Sequence, residues 1–163
     1  MKTLALVVLV ACGTPPPSWA PDAGDCALYE VPTGTNLAAP TVSFKTDVMP
    51  VLTAHCSSSI CHGISDGAKG NLFLGAELQK GADAATVYTN LTATSEQYPA
   101  MPYVKPSDLA NSYLMHKLDA DQCMLSTKCV NGDCQHAMPF DGMLAVETRD
   151  IVRRWIAQGA KNN

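Results

Sequence analysis

At 163 residues, with 47% hydrophobic and 16% charged residues, the chain has material for one globular domain and a tail. A formal charge of −4 argues against a nucleic-acid partner, since phosphate binding needs clustered Lys and Arg; the one local basic group, Arg149, Arg153 and Arg154, reads as a solvated helix face. Aromatic residues make up only 6%, so aliphatic side chains or a large flat ligand must fill the core.

The first element is a targeting segment. Met1 and Lys2 give a short basic start and Thr3 to Val10 is almost entirely apolar. That run is far shorter than the ~20 residues that span a bilayer, and it has the length of a signal-peptide core. It ends in Leu9-Val10-Ala11-Cys12, which resembles the lipobox of bacterial lipoproteins. The resemblance implies that residues 1–11 are removed and that Cys12 carries the lipid. The chain is then exported and anchored on the periplasmic or cell-surface face of a bacterial membrane. Residues 12–41 follow as a Pro-rich tether, punctuated by Pro15, Pro16, Pro17, Pro21, Pro32 and Pro40. Cys26 lies inside the tether, so part of it is expected to be stapled to the domain.

The folded part is placed at residues 42–163. A first helix is expected with Thr46 as cap, Asp47 in its first turn and Pro50 still early enough to be tolerated. Val48, Leu52 and His55 or Cys56 recur along it at helical spacing. A second helix covers Asp83 to Leu91. A third follows Pro106, with Ser107 as cap and Leu109, Tyr113, Leu114, Lys117 and Leu118 along it. In the last, Ile151, Val152, Trp155 and Ile156 form one apolar stripe and Gly159 is the stop. No long alternating pattern argues for a sheet. The fold class is all-α with long loops.

Chemistry concentrates in Cys56-Ser57-Ser58-Ser59-Ile60-Cys61-His62. In haem c attachment two thiols add to the porphyrin vinyl groups and the His after the second Cys binds iron. The usual spacer is two residues; here it is four, and the small polar Ser57, Ser58 and Ser59 suit a solvent-facing bulge. Three other readings stand beside this one: a Cys56–Cys61 disulfide with His62 on the surface, a zinc site completed by a later Cys, and a free structural pair. Export favours disulfides. The remaining Cys26, Cys123, Cys129 and Cys134 can make two bridges, and three pairings are open. A metal loop of thiolates with Asp121 and Asp133 is the less favoured alternative for that cluster.

Around the motif lies an ordered succession of short pieces. Val48-Met49-Pro50-Val51-Leu52 leads into it, and Gly70-Asn71-Leu72-Phe73-Leu74 follows. Then come Val104-Lys105-Pro106-Ser107-Asp108, Asn111-Ser112-Tyr113-Leu114, Met138-Pro139 and Trp155-Ile156-Ala157-Gln158-Gly159-Ala160. This order resembles the planctomycete-type cytochrome c domains, a branch of the cytochrome c superfamily, over residues 44 to 160. The resemblance implies a small cytochrome c-like domain whose N-terminal and C-terminal helices enclose a haem cleft. It also implies one haem c held by Cys56, Cys61 and His62, with Met138 of the Met-Pro step as second axial ligand to iron. The four-residue spacer departs from the superfamily's commonest pattern. Met101, Met143, His116 and His136 are the rivals to Met138; His55 adjoins Cys56 and is discounted, and His116 is expected to pack or to face solvent.

The expected function is therefore electron transfer by a non-enzymatic haem protein that meets another redox protein and sits on the membrane through its lipid. No Ser/His/Asp set or phosphate-binding Gly-rich loop argues for catalysis. One alternative is a haem-free, disulfide-stapled surface lipoprotein that binds other proteins. The other is a haem enzyme or gas sensor with an open sixth site. Haem colour separates the first, and carbon monoxide or cyanide binding the second.

Overall fold

Ser43 starts the first helical run. Its hydroxyl accepts from the Thr46 N–H at 3.4 Å, while the Asp47 carboxylate accepts from the Ser43 N–H at 2.7 Å. This reciprocal cap satisfies donors that a helix start leaves bare. The computed structural model describes residues 26–75 and 83–163. The signal segment, Cys12 and the first part of the tether lie outside them. The cap is thus Ser43 and not Thr46, because a π-helical stretch, Phe44–Val48, precedes α1 (Met49–His55). Pro50 falls in the first turn of α1, where its missing N–H costs nothing.

Asp83 caps α2 (Ala84–Leu91), its carboxylate accepting from the Ala85 and Thr86 N–H groups. The third helix is shorter than the pattern implies. Ser107 has φ +61°, so it cannot serve as a cap, and its N–H donates to the Ile156 carbonyl at 2.8 Å. Asp108 caps a single 3₁₀ turn, Leu109–Asn111, and α3 (Tyr113–Leu118) begins only after it. Two further 3₁₀ stretches, Gln122–Lys128 and Val130–Gly132, carry the Cys-rich loop. The chain ends on α4 (Val146–Ala157), which Gly159 stops at φ +99°. Among the described residues there is no strand, only an isolated bridge between Thr94 and Pro102.

Three aromatic residues, Phe44, Tyr88 and Trp155, meet where these elements pack. Phe44 stacks on Trp155 of α4 at 5.0 Å, and Tyr88 of α2 meets Phe44 edge-on at 5.6 Å. Val48, Leu52, Val87, Leu91, Val152 and Ile156 close around them. The expected stripe on α4 holds for Val152, Trp155 and Ile156, with Ile151 half-buried. The flank of α4 beside this stripe departs from expectation. Arg149 and Arg153 are 3% and 1% exposed, not solvated. Both pair with Asp119, Arg153 pairs also with Asp150, and the Tyr29 ring lies 4.8 and 4.9 Å from the two guanidinium groups. Once buried, such charges need partners, and Asp119 supplies one to both.

The four described cysteines outside the motif form two disulfides, Cys26–Cys123 and Cys129–Cys134. They leave no thiolates for a metal loop there. The first bridge fastens the segment before the domain, helped by the Tyr29 N–H donating to Asp121 at 2.9 Å and by Gln158 donating to the Leu37 and Pro40 carbonyls.

Candidate functional site

An apolar-walled cleft of about 370 Å³ opens between the end of α1, the loop after it, α3, and the segment that precedes α4. That size is within the range of small-molecule and cofactor sites. Cys56, Cys61, His62 and Met138 all line it, together with Leu72, Leu74, Tyr103 and Leu114.

The attachment loop is built by a reversal at the end of α1. The Cys56 N–H still bonds to the Leu52 carbonyl at 2.8 Å; the chain then turns so that the His62 N–H reaches the Cys56 carbonyl at 3.3 Å and the Gly63 N–H reaches Ser58 at 2.9 Å. Gly63 makes this possible, because a Cβ there would lie 2.1 Å from the Ser57 carbonyl oxygen. The bulge is solvent-facing at Ser58, Ser59 and Ile60. Ser57 is not part of it: it is buried and its hydroxyl donates to the Thr53 carbonyl at 2.7 Å, satisfying an acceptor that the end of α1 leaves free.

Past His62 the chain doubles back alongside the motif. The Lys69 N–H donates to the Cys61 carbonyl at 3.0 Å and the Leu74 N–H to that of His62 at 2.8 Å. The Tyr103 hydroxyl fixes the same stretch through a short bond to the Gly70 carbonyl, and Asn90 holds the Phe73 carbonyl at 2.9 Å. This stretch presents the Leu72 carbonyl to His62, whose Nδ1 lies 2.8 Å from it. A carbonyl only accepts, so Nδ1 carries the proton and Nε2 keeps its lone pair for a metal. An orienting bond of this kind is usual for a ligating His. Burial also holds the His62 pKa below the ordinary imidazole value, which favours the neutral, ligating form.

Cys56 and Cys61 are free thiols, whereas every other described cysteine is in a disulfide. Burial, then Cys61 and Asp141, push the Cys56 thiol up to about 12, so it is a protonated, uncharged group at neutral pH. Among the described residues no three His, Cys, Asp or Glu side chains gather into a metal-holding group, so the zinc alternative finds no ligand set.

The rivals to Met138 are placed elsewhere. Met101 is buried in the core, and neither it, Met143 nor His136 lines the cleft; His136 is exposed with its ring edge-on to Phe140 at 5.0 Å. His116 is buried with both ring nitrogens engaged, Nδ1 to Asp121 at 2.7 Å and Nε2 to the Ala110 carbonyl at 3.1 Å. His55 does line the cleft, but is exposed. The sequence places Lys117 only along the third helix, with no part in the site, and gives no mark to Gly63 or Tyr103. Lys117 lines the cleft from α3, 8% exposed, and burial lowers its pKa to about 8 against the opposing pull of Asp133. Its place among Tyr113, Leu114 and Leu118 in an apolar helical pattern is the signal that marks it as buried.

The donor set fits a haem c. Two free thiols precede a His with a fixed tautomer, and a thioether lies in the same apolar cleft. Compared with known proteins, the chain matches no family model, no curated sequence and no solved structure.

Proposed function

We propose that the chain is an electron-transfer protein holding one haem c, bound as thioethers to Cys56 and Cys61 with His62 and Met138 as axial ligands. The observation that carries this reading is the convergence of these four residues on one apolar cleft, with His62 Nδ1 committed to the Leu72 carbonyl. The ordered succession of motifs that resembles the planctomycete-type cytochrome c domains supports it independently. Bound there, the group would supply a one-electron iron couple, and His/Met ligation favours a high potential. The protein's part is to bind, orient and dry the site. Leu72, Leu74, Leu114 and Leu118 give the cleft apolar walls, which disfavour charge and water near the iron. His62 and Met138 would together leave the iron no open position for substrate, and the role that fits is passing electrons to and from another redox protein with no catalysis of its own.

The Cys12 lipobox completes the reading with an exported, lipid-anchored location. Among the described residues no helix is long and apolar enough to cross a membrane. Purified full-length protein, matured with haem-attachment machinery, tests the proposal by its denatured alkaline pyridine spectrum. Haem that stays on the polypeptide through acid–organic extraction is expected. A colourless protein would overturn the reading in favour of the disulfide-stapled binding lipoprotein. Ready carbon monoxide binding to the reduced native protein would point instead to an open-site enzyme or sensor.

A further inference from the structure

A buried ammonium organises the wall of the cleft that bears Met138. Lys117 Nζ donates to the carbonyl oxygens of Cys134 at 2.6 Å and His136 at 2.5 Å, and the backbone carbonyl of Lys117 accepts from the Met138 N–H at 2.8 Å. A single residue thus holds the 134–138 span at its start, middle and end. Two neighbours add to this grip: the Tyr113 hydroxyl donates to the Cys134 carbonyl at 3.1 Å and Gln122 to that of Gln135 at 3.1 Å. The Cys129–Cys134 disulfide fixes where the span begins.

The choice of residue demands a reason. Position 117 continues a buried stripe with Tyr113, Leu114 and Leu118, where a leucine would fill the wall without burying a charge. No carboxylate of the described residues pairs with Nζ; it donates to the two carbonyls of the span and lies 5.6 Å from the centre of the Tyr113 ring, whose own hydroxyl holds the Cys134 carbonyl. The cost of burying the ammonium is therefore offset by fixing this stretch of backbone and, through it, the residue that follows His136 by two positions. We propose that Lys117 is the positioning residue for the Met138 thioether, gripping the 134–138 backbone so that the sulfur is presented to the cleft. The ligand role of Met138 rests on the haem c reading; the backbone grip does not.

The test uses full-length haem-loaded protein and the variants Lys117→Leu and Lys117→Arg. Lys117→Leu should keep its helix content and covalent haem. It should lose the weak long-wavelength charge-transfer band of Met–iron(III) ligation, bind cyanide faster and show a lower potential. Amide exchange at Met138 should accelerate by about tenfold or more, the effect of losing charge-assisted hydrogen bonds. Lys117→Arg, whose fork keeps donors for both carbonyls, should retain the band. An unchanged band and cyanide rate in haem-loaded Lys117→Leu would overturn this proposal and leave the haem reading intact. A wild type without haem would overturn the haem reading, and the ligand role with it. Should Lys117→Leu fail to fold, wild-type exchange decides: the Met138 amide should be as protected as those of α3, and fast exchange there beside a protected α3 overturns the grip.

Discussion

Gly63 stands where no side chain fits. A Cβ at this position meets the Ser57 carbonyl oxygen at 2.1 Å and carbonyl carbons of Ser57 and Ser58 at 2.7 and 2.8 Å, so backbone and not a pliable side chain is in the way. Gly63→Ala should therefore destabilise the fold by about 3 kcal/mol, the upper end of what overpacking usually costs, because the neighbours are rigid backbone. It should also leave Cys56 and Cys61 poorly disposed for double attachment; urea unfolding and the yield of extraction-resistant haem check the two effects. Of the three methionines that precede prolines, Met101 and Met138 are separated by what their loss would do. Met101 is 6% exposed in the core, so Met101→Ala should cost about 2–5 kcal/mol and leave the iron spectrum alone. Met138→Ala should abolish the Met–iron(III) band and admit cyanide or carbon monoxide, at a smaller cost in stability because Met138 is only half-buried. If Met138→Ala leaves the spectrum unchanged, the ligand assignment fails, and His136 becomes the next residue to replace.

The elements differ in how much of them the sequence reveals, and the reason is whether local pattern or distant contact decides. The buried face of α4 follows from its 3.6-residue stripe, and α2 from Asp83 and the apolar side behind it. The beginnings of the first and third helices depend on remote partners. The Asn163 side chain accepts from the Phe44 N–H at 2.9 Å and its carbonyl from the Lys45 N–H at 2.9 Å, which supports a helical start before Thr46. The Ile156 carbonyl draws the Ser107 N–H away from a capping geometry. Likewise Arg149 and Arg153 read as surface charges until Asp119, after α3, is brought beneath them. In the site, the spacing of Cys56, Cys61 and His62 is a local signal and so is legible; the Leu72 carbonyl and the Lys117 grip arise only from folding. His116 on α3 gives a test of such a contact. Its ring nitrogens face the Asp121 carboxylate and the Ala110 carbonyl, both acceptors, so the imidazolium satisfies both at once. The hydrogen bond to Asp121, with the charges of Asp121 and Asp119, raises the His116 pKa above the ordinary value of 6.5. A raised folded-state value means stabilisation that is complete below 6.5 and is lost as pH rises through the folded value. The stability difference between wild type and His116→Leu, from urea unfolding at steps from about pH 5 to about pH 9, should therefore be largest at the acidic end and shrink upward. A difference that grew with pH would show that the buried ring is held neutral.

At the scale of the molecule, the two disulfides perform different work although each joins buried or half-buried sulfurs. Cys26–Cys123 closes 97 positions of sequence and Cys129–Cys134 only 5. If the bridges act by restricting the unfolded chain, the long one is worth about 4.7 kcal/mol and the short one about 2 kcal/mol. The contacts around each bridge sharpen the contrast. The long bridge also delivers Tyr29 to Arg149 and Arg153, whose ring contacts and buried pairing with Asp119 join the N-terminal segment to α3 and α4. The short bridge acts locally, at the start of the span that bears Met138. Replacing both cysteines of the long bridge by Ser should therefore cause the larger loss of unfolding free energy and expose the segment around Tyr29 to proteolysis, with the haem spectrum unchanged. Replacing Cys129 and Cys134 should cost less stability and yet weaken the Met–iron(III) band. Thiol counting on denatured, unreduced wild type should first find none of these four cysteines free. Equal stability losses for the two pairs, or a perturbed spectrum from the long bridge alone, would refute this division of labour and place the control of the cleft in the N-terminal segment.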